Sequence, residues 1–161
     1  MEDEERIDIF IDSKSRKFPE YLETLEREAI KDEVPIIRKD SQRLLRFLMC
    51  LKEPETILEI GTAVGFSALL MAEYTNENCR ITTIENYEPR IKKAKENFEK
   101  HDKNGKITLL KGDAKEEIKK LEGSFDIIFL DGPKGQYEAY LDDLLRLLKI
   151  GGLLITDNIF K

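Results

Sequence analysis

Four acids fall where short apolar runs give way to polar turns: Glu85, Asp113, Asp131 and Asp157. Glu85 closes Ile81-Thr82-Thr83-Ile84, and an acid so placed can accept both hydroxyls of a ribose. Asp113, between Gly112 and Ala114, can cap a helix or also accept from an adenine amino group. Upstream lies Glu59-Ile60-Gly61-Thr62-Ala63-Val64-Gly65-Phe66-Ser67. Gly61 and Gly65 permit a tight turn and close backbone approach to a ligand, and the helix start behind them offers free N–H groups. The spacing is not Gly-x-Gly-x-x-Gly. Alone, the Gly-rich turn is equally well explained by an ordinary strand–helix loop, and Glu85 and Asp113 are better explained as solvated or helix-capping acids. Three at consecutive run ends describe a nucleoside cradle without a phosphate clamp.

The remaining two run ends carry different chemistry. Asp131-Gly132-Pro133-Lys134 and Asp157-Asn158 supply two carboxylates and an amide oxygen, a hard-oxygen set suited to Mg²⁺ or Ca²⁺. Acids at such places often cap helices, but no helix pattern follows Asp157-Asn158, which favours a metal. Lys134 either pairs with these acids or acts as a general base or orienting cation for an ionised hydroxyl. Tyr137 and Tyr140 follow at helical spacing, one expected in the core and one at the surface. His101 is expected to cap a helix end and is given no function.

These residues need a scaffold that gathers run ends along one edge. Ile7, Phe10 and Ile11 mark one helical face, and Leu22, Leu25 and Ala29 another behind a first-turn Pro19. Val34-Pro35 breaks that helix. Asp40 or Ser41 is expected to cap a third, with Leu44, Leu45, Leu48 and Leu51 as its buried face, ended by Pro54. Beyond it strands and helices alternate. Strands are expected at 56–60, 80–84, 106–110, 125–130 and 153–156. Helices are expected at 65–74, 89–100, 114–121 and 136–148, with Gly151-Gly152 as a turn. Short apolar strands alternating with helices imply an α/β, Rossmann-like, doubly wound parallel sheet with right-handed crossovers. The chain reads as one domain, residues 1–161, with a helical cap over 1–53 and an α/β core over 54–161. The fifth strand is expected at or near a sheet edge.

Composition limits the alternatives. The chain has 161 residues, with 37% charged, 40% hydrophobic and 8% aromatic side chains. Its apolar runs fall far below the roughly 18 residues of a membrane span. Cys50 and Cys79 stand apart, which excludes a disulfide scaffold or zinc ribbon and points to a reduced, cytoplasmic protein. His101 as the single histidine excludes His-clustered metal sites. Met1 runs straight into Glu2-Asp3-Glu4-Glu5, a start without the marks of a secretory leader. The net charge is -6, yet residues 1–12 alone carry a net of -5. Residues 89–120 hold eleven basic and six acidic residues. That stretch leaves room for an anionic partner, though a solvated helix face is the commoner meaning.

The pieces Leu58-Glu59-Ile60-Gly61-Thr62, Phe129-Leu130-Asp131, Lys134 and Gly151-Gly152-Leu153-Leu154-Ile155-Thr156-Asp157-Asn158 resemble a known family. It is the cation-dependent, catechol-methyltransferase-like O-methyltransferases that use S-adenosylmethionine. The resemblance runs from about Glu26 to Phe160. Lys134-Gly135-Gln136-Tyr137 and Val34-Pro35-Ile36 look most like the bacterial tRNA 5-hydroxyuridine methyltransferases. The resemblance implies that Gly61, Phe66 and Ser67 hold the methionine part of S-adenosylmethionine, with Glu59 shaping the turn. It implies Glu85 on the ribose, Asp113 and Ala114 at the adenine, and Ile36 covering the cofactor. It further implies Asp131, Asp157 and Asn158 as ligands of Mg²⁺ (or Ca²⁺ or Mn²⁺), Asp131 near the cofactor amine, Lys134 as base, and a homodimer. Members of the family continue past the Asp-Asn pair with further strands, so by this resemblance the C-terminal strands are missing and the sheet is truncated.

Three functions follow as expectations. The first is Mg²⁺-dependent methylation of the tRNA wobble 5-hydroxyuridine, with the basic stretch and Lys14-Ser15-Arg16-Lys17 on phosphates. The second is the same chemistry on a small catechol, phenol or caffeoyl-CoA-like acceptor. The third is a non-catalytic cofactor-binding module. No membrane partner is expected.

Overall fold

The computed structural model describes residues 7, 10, 14–131, 137 and 139–157. The helix pattern through Ile7, Phe10 and Ile11 lies largely outside the described residues, as do Lys134 and Asn158.

Helix α1 (Glu20–Lys31) buries Leu22, Leu25 and Ala29, the face its spacing predicts. Pro19 is its N-cap, one position earlier than expected, and its carbonyl accepts from Leu22 and Glu23 N–H. Helix α2 (Lys39–Lys52) departs from expectation at two points. Its N-cap is Arg38, so neither Asp40 nor Ser41 caps it. Its buried stripe is Gln42, Leu45 and Met49, while Leu44 and Leu51 are exposed. A polar residue tolerates that stripe because its amide is used: Gln42 Nε2 donates to Glu26 Oε1 at 2.9 Å and to the Ile37 carbonyl at 3.0 Å.

From Thr56 the chain alternates as its pattern predicts: β1 (Thr56–Ile60), α3 (Phe66–Glu73), β2 (Arg80–Glu85), α4 (Glu88–His101), β3 (Ile107–Lys111), α5 (Ala114–Lys120), β4 (Phe125–Leu130), α6 (Leu141–Leu147) and β5 (Leu148–Thr156). All ladders are parallel, in the order β3-β2-β1-β4-β5. Helices α1 to α4 pack on one face around Leu45, Met49, Leu69, Leu70 and Phe129. Helices α5 and α6 cover the other through Ile118, Leu144 and Leu147. With both faces covered, the central strands are apolar nearly throughout, and β1 buries four of its five residues. Each fully buried Leu in these layers is worth about 1.5–3 kcal/mol.

The last helix is shorter than expected and the last strand longer. Leu148 already pairs with Phe125, then the register slips so that Ile127 faces Leu153. Gly151 has φ +77°, so Gly151-Gly152 form an irregularity within β5 instead of a turn before it. Extra residues on one strand of a ladder need such a backbone, and glycine adopts it without a Cβ clash. Among the described residues β5 and β3 are the two sheet edges, and no helix is long and apolar enough to cross a membrane.

Candidate active site

The turn after β1 is held by its neighbours on β2. Gly61 and Thr62 N–H donate to the Ile84 carbonyl at 3.0 and 3.3 Å. Gly61 has φ +98°, and Ala63, without glycine's freedom, is held at φ +47°. Ala63 pays for this with a bond: its N–H donates to Glu85 Oε2 at 2.9 Å. Glu85 Oε1 accepts the N–H groups of Asn86 and Tyr87, both at 3.0 Å. One carboxylate at the end of β2 thus orders its own turn and the turn after β1. Gly65 serves a different purpose from the one its spacing suggests. Its φ is +84°, and a Cβ there would come within 2.7 Å of Phe98 Cζ, so its close approach is to helix α4.

Glu59 is fully buried inside β1. Ser67 Oγ donates to Glu59 Oε1, and Thr83 Oγ1 donates to Oε2 at 2.5 Å. The Thr62 and Thr83 hydroxyls share a 2.6 Å bond. Burial pushes the Glu59 carboxyl up to about 8, against the opposing pull of the two hydroxyl donors. Glu59 therefore ties β1, β2 and the start of α3 together, which agrees with shaping the turn.

A cavity of about 210 Å³ opens beyond the strand ends. Ile36, Gly61, Glu85, Ala114 and Asp131 line it, which brings five of the expected cofactor residues together. Phe66 and Ser67 line a small recess that shares Ile36, Ala63 and Asp131 with it. Asp113 and Glu59 do not line either space. Asp113 caps α5, its Oδ1 accepting from Lys115 N–H at 3.0 Å. Tyr87, Arg90 and Tyr140 also line the cavity. Sequence reasoning missed Tyr87 and Arg90, and it gave Tyr137 and Tyr140 one core place and one surface place without assigning which. The Arg90 signal was a cation one turn into the helix that follows Glu85.

Asp131 and Asp157 end adjacent strands. Asp131 N–H donates to the Ile60 carbonyl and Asp157 N–H to the Leu130 carbonyl, both at 2.9 Å. Burial pushes the Asp131 carboxyl up to about 6; the Asp157 charge raises it further and Arg90 opposes the rise. Ser41 Oγ donates to Asp157 Oδ1 at 2.8 Å, which is where the hydroxyl expected to cap α2 is spent. A carboxylate whose ionisation is made costlier by burial and by the acid on the next strand fits a hard divalent cation, whose charge offsets that cost. Among the described residues no group of three His, Cys, Asp or Glu gathers to hold a metal. The expected third ligand, Asn158, and the expected base, Lys134, lie outside the described residues.

Comparison with known proteins agrees with this fold. Residues 12–161 match a family model described as O-methyltransferase. A catechol O-methyltransferase of Niastella koreensis is 32% identical over 124 residues, covering 74% of this chain and 56% of that protein. A caffeoyl-CoA O-methyltransferase of Populus kitakamiensis is 28% identical over 124 residues, covering 74% of this chain and 53% of that protein. The chain spans about half the length of these curated relatives. The solved structure of the SAH-bound Podospora anserina methyltransferase PaMTH1 superposes with a TM-score of 0.90 at 29% identity, covering 99% of this chain and 72% of that one. The chain belongs to the O-methyltransferase family.

Proposed function

We propose that this chain binds S-adenosylmethionine in the cavity beyond β1 to β4 and transfers its methyl group to the hydroxyl of a catechol- or caffeoyl-type phenol. The observation that carries the proposal is the convergence, along one sheet edge, of the Glu85 turn system with the Asp131–Asp157 pair. The names of the two relatives above support a phenolic acceptor.

The chain's own residues divide the work. Glu85 uses both oxygens on three N–H groups and keeps acceptor capacity on Oε2 for a ribose hydroxyl. Glu85 and Asp131 give the cavity an acidic character that suits a cationic sulfonium. Ile36, from the segment between α1 and α2, closes the cavity on the cap side. A divalent cation held by Asp131 and Asp157 would lower the pKa of an acceptor hydroxyl bound to it and fix its position. In the transfer an O–C bond forms as the S–C bond breaks; the sulfur leaves as a neutral thioether and the phenolic proton passes to Lys134 or to solvent. Most of the acceleration comes from positioning two reactants.

The tRNA alternative rests on Lys134-Gly135-Gln136-Tyr137, Val34-Pro35-Ile36 and the basic stretch. Much of that stretch is already engaged. Lys93, Lys111, Lys119 and Lys120 pair with Glu28, Glu88, Glu116 and Glu117. Lys106 is buried, with Nζ donating to the Ala72 and Thr75 carbonyls. These contacts favour the small phenol.

The test is to incubate the chain with S-adenosylmethionine and Mg²⁺, offering catechol, caffeate or hypomodified tRNA, and to identify methylated products by mass spectrometry. Metal-dependent methylation of a phenol is expected. Methylated tRNA nucleosides without methylated phenol would replace this acceptor with tRNA. Binding of S-adenosylhomocysteine with no turnover on any acceptor would leave a cofactor-binding module.

A further inference from the structure

The two edges of the sheet differ. The β3 edge is five residues long and ends on Lys111, and the helices before and after it, α4 and α5, carry several lysines. Short, charged edges resist pairing with another chain. The β5 edge is nine residues long. Its one charge, Lys149, is spent on Asp126 at 2.9 Å, and Ile150 beyond it is fully exposed.

Apolar side chains flank the β5 edge in both helix layers. On α2, Ser41 reaches Asp157 and Lys52 reaches the Gly151 carbonyl at 2.7 Å, so the face they share overlooks β5. Leu44, Leu48 and Leu51 lie on that face at helical spacing, with Leu44 and Leu51 exposed. On α6, Leu144 and Leu147 face the sheet, and Arg146 turns to the end of α5, donating to the Leu121 and Ile118 carbonyls. The flank away from α5 carries Leu141 and Leu145, both exposed. Contiguous apolar surface of this kind marks an interaction site. The strand is about 30 Å long and a helix about 10 Å across lies on each side of it, so the edge is on the order of the ~800 Å² that each partner buries in a stable interface.

The layering decides what covers this edge. A lone peptide strand would pair with β5 and leave both leucine stripes in water. A second copy, turned by a twofold axis normal to the sheet, sets β5 antiparallel to its counterpart, α2 against α2 and α6 against α6. Every layer then meets its own kind. Exposed Arg38, before α2, comes toward exposed Glu53 and Glu55, beyond the end of the other α2, so the charges are complementary as well.

We propose that two copies of this chain join along their β5 edges into one continuous sheet, with the leucine stripes of α2 and α6 closing the two faces of the joint. The proposal stands apart from the choice of methyl acceptor.

Sedimentation equilibrium over a concentration series from about 1 to 100 μM is expected to show a monomer passing to a dimer. Ile150→Lys and Leu51→Glu, both at exposed sites, should weaken the dimer at least about tenfold with unchanged circular dichroism. Ile30→Glu, at an exposed site on α1, should leave it intact. Hydrogen exchange of the β5 amides should slow as the dimer forms, and that of the β3 amides should not. A monomer throughout the series overturns the proposal. So does a dimer that Ile150→Lys and Leu51→Glu leave intact, or one that does not slow β5 exchange. Assembly that grows past the dimer without closing also overturns it, because it requires head-to-tail contacts in place of the twofold joint.

Discussion

The sheet's carboxyl edge has two halves built on different principles. At the ends of β1 and β2, Glu59 and Glu85 already have their partners within the chain. Two hydroxyls meet Glu59 and three N–H groups meet Glu85. At the ends of β4 and β5, Asp131 and Asp157 sit on adjacent strands, and burial with the Asp157 charge raises the Asp131 carboxyl. The first half holds its acids in a finished network, so the proposed nucleoside would meet groups that are already ordered. The second half sets two carboxylates at adjacent strand ends, where Ser41 donates to one and the Arg90 charge opposes the rise of the other. Acids in the first half have structural work whatever they bind, and those in the second have less, which is the ground for giving the second half the chemistry in the proposed function.

The largest expected effect breaks the second half alone. Asp157→Ala should lower turnover at least about a hundredfold, since it removes the expected cation's second carboxylate. Its affinity for S-adenosylhomocysteine should stay within about twofold, because the Glu85 system lies apart from it. Steady-state kinetics and calorimetry on the same preparation check both. Equal loss of turnover and cofactor affinity would erase the distinction between the halves.

Glu85→Ala attacks the first half and should fail in the opposite way. Three N–H groups lose a charged acceptor, so the apo chain should lose about 2–4 kcal/mol of stability and the cofactor at least about tenfold in affinity. Urea unfolding separates the stability loss from the binding loss. A variant of parental stability would mean that water satisfies those N–H groups.

Ser41→Ala is subtler and sharpens the contrast. The Ser41 hydroxyl is a contact from the helical cap to Asp157, at 2.8 Å. Second-sphere partners of this kind set the aim of a metal-binding carboxylate. Its loss should weaken divalent-cation affinity about tenfold with cofactor affinity unchanged. Calorimetric titration with Mg²⁺ measures this without relying on turnover.

The division was partly legible in the sequence. Strand ends showed because apolar runs stop at polar turns, and the acids sitting there fell along one edge once the strands proved parallel. The start of α2 was not legible, because Asp40 and Ser41 look like caps while the actual N-cap, Arg38, uses no side-chain bond. Ser41 was consequently misplaced, and with it the tie between cap and Asp157. The length of β5 was hidden because Gly151-Gly152 reads as a turn and is instead a register irregularity within a ladder. Ala63 carries no local signal: its positive φ is sustained by Glu85, twenty-two positions along the chain. Arg90 and Tyr140 reach the cavity through tertiary packing that periodicity does not encode.

The smallest effect concerns Glu59, and its sign is fixed by linkage. Burial raises its carboxyl from an ordinary 4.5 to about 8, so between those values the folded chain holds a proton that the unfolded chain has released. Stability from this group is therefore complete at low pH and is lost as pH rises through about 8. Glu59→Gln keeps the shape but cannot ionise; its carbonyl oxygen accepts from one hydroxyl and its amide N–H donates to the other. Between about pH 6.5 and pH 9 the parent's melting temperature should fall by about 5 °C more than the variant's. Equal slopes would mean that the Ser67 and Thr83 donors outweigh burial and hold Glu59 ionised. The cofactor half would then also carry an uncompensated charge, and its difference from the Asp131–Asp157 half would be one of degree.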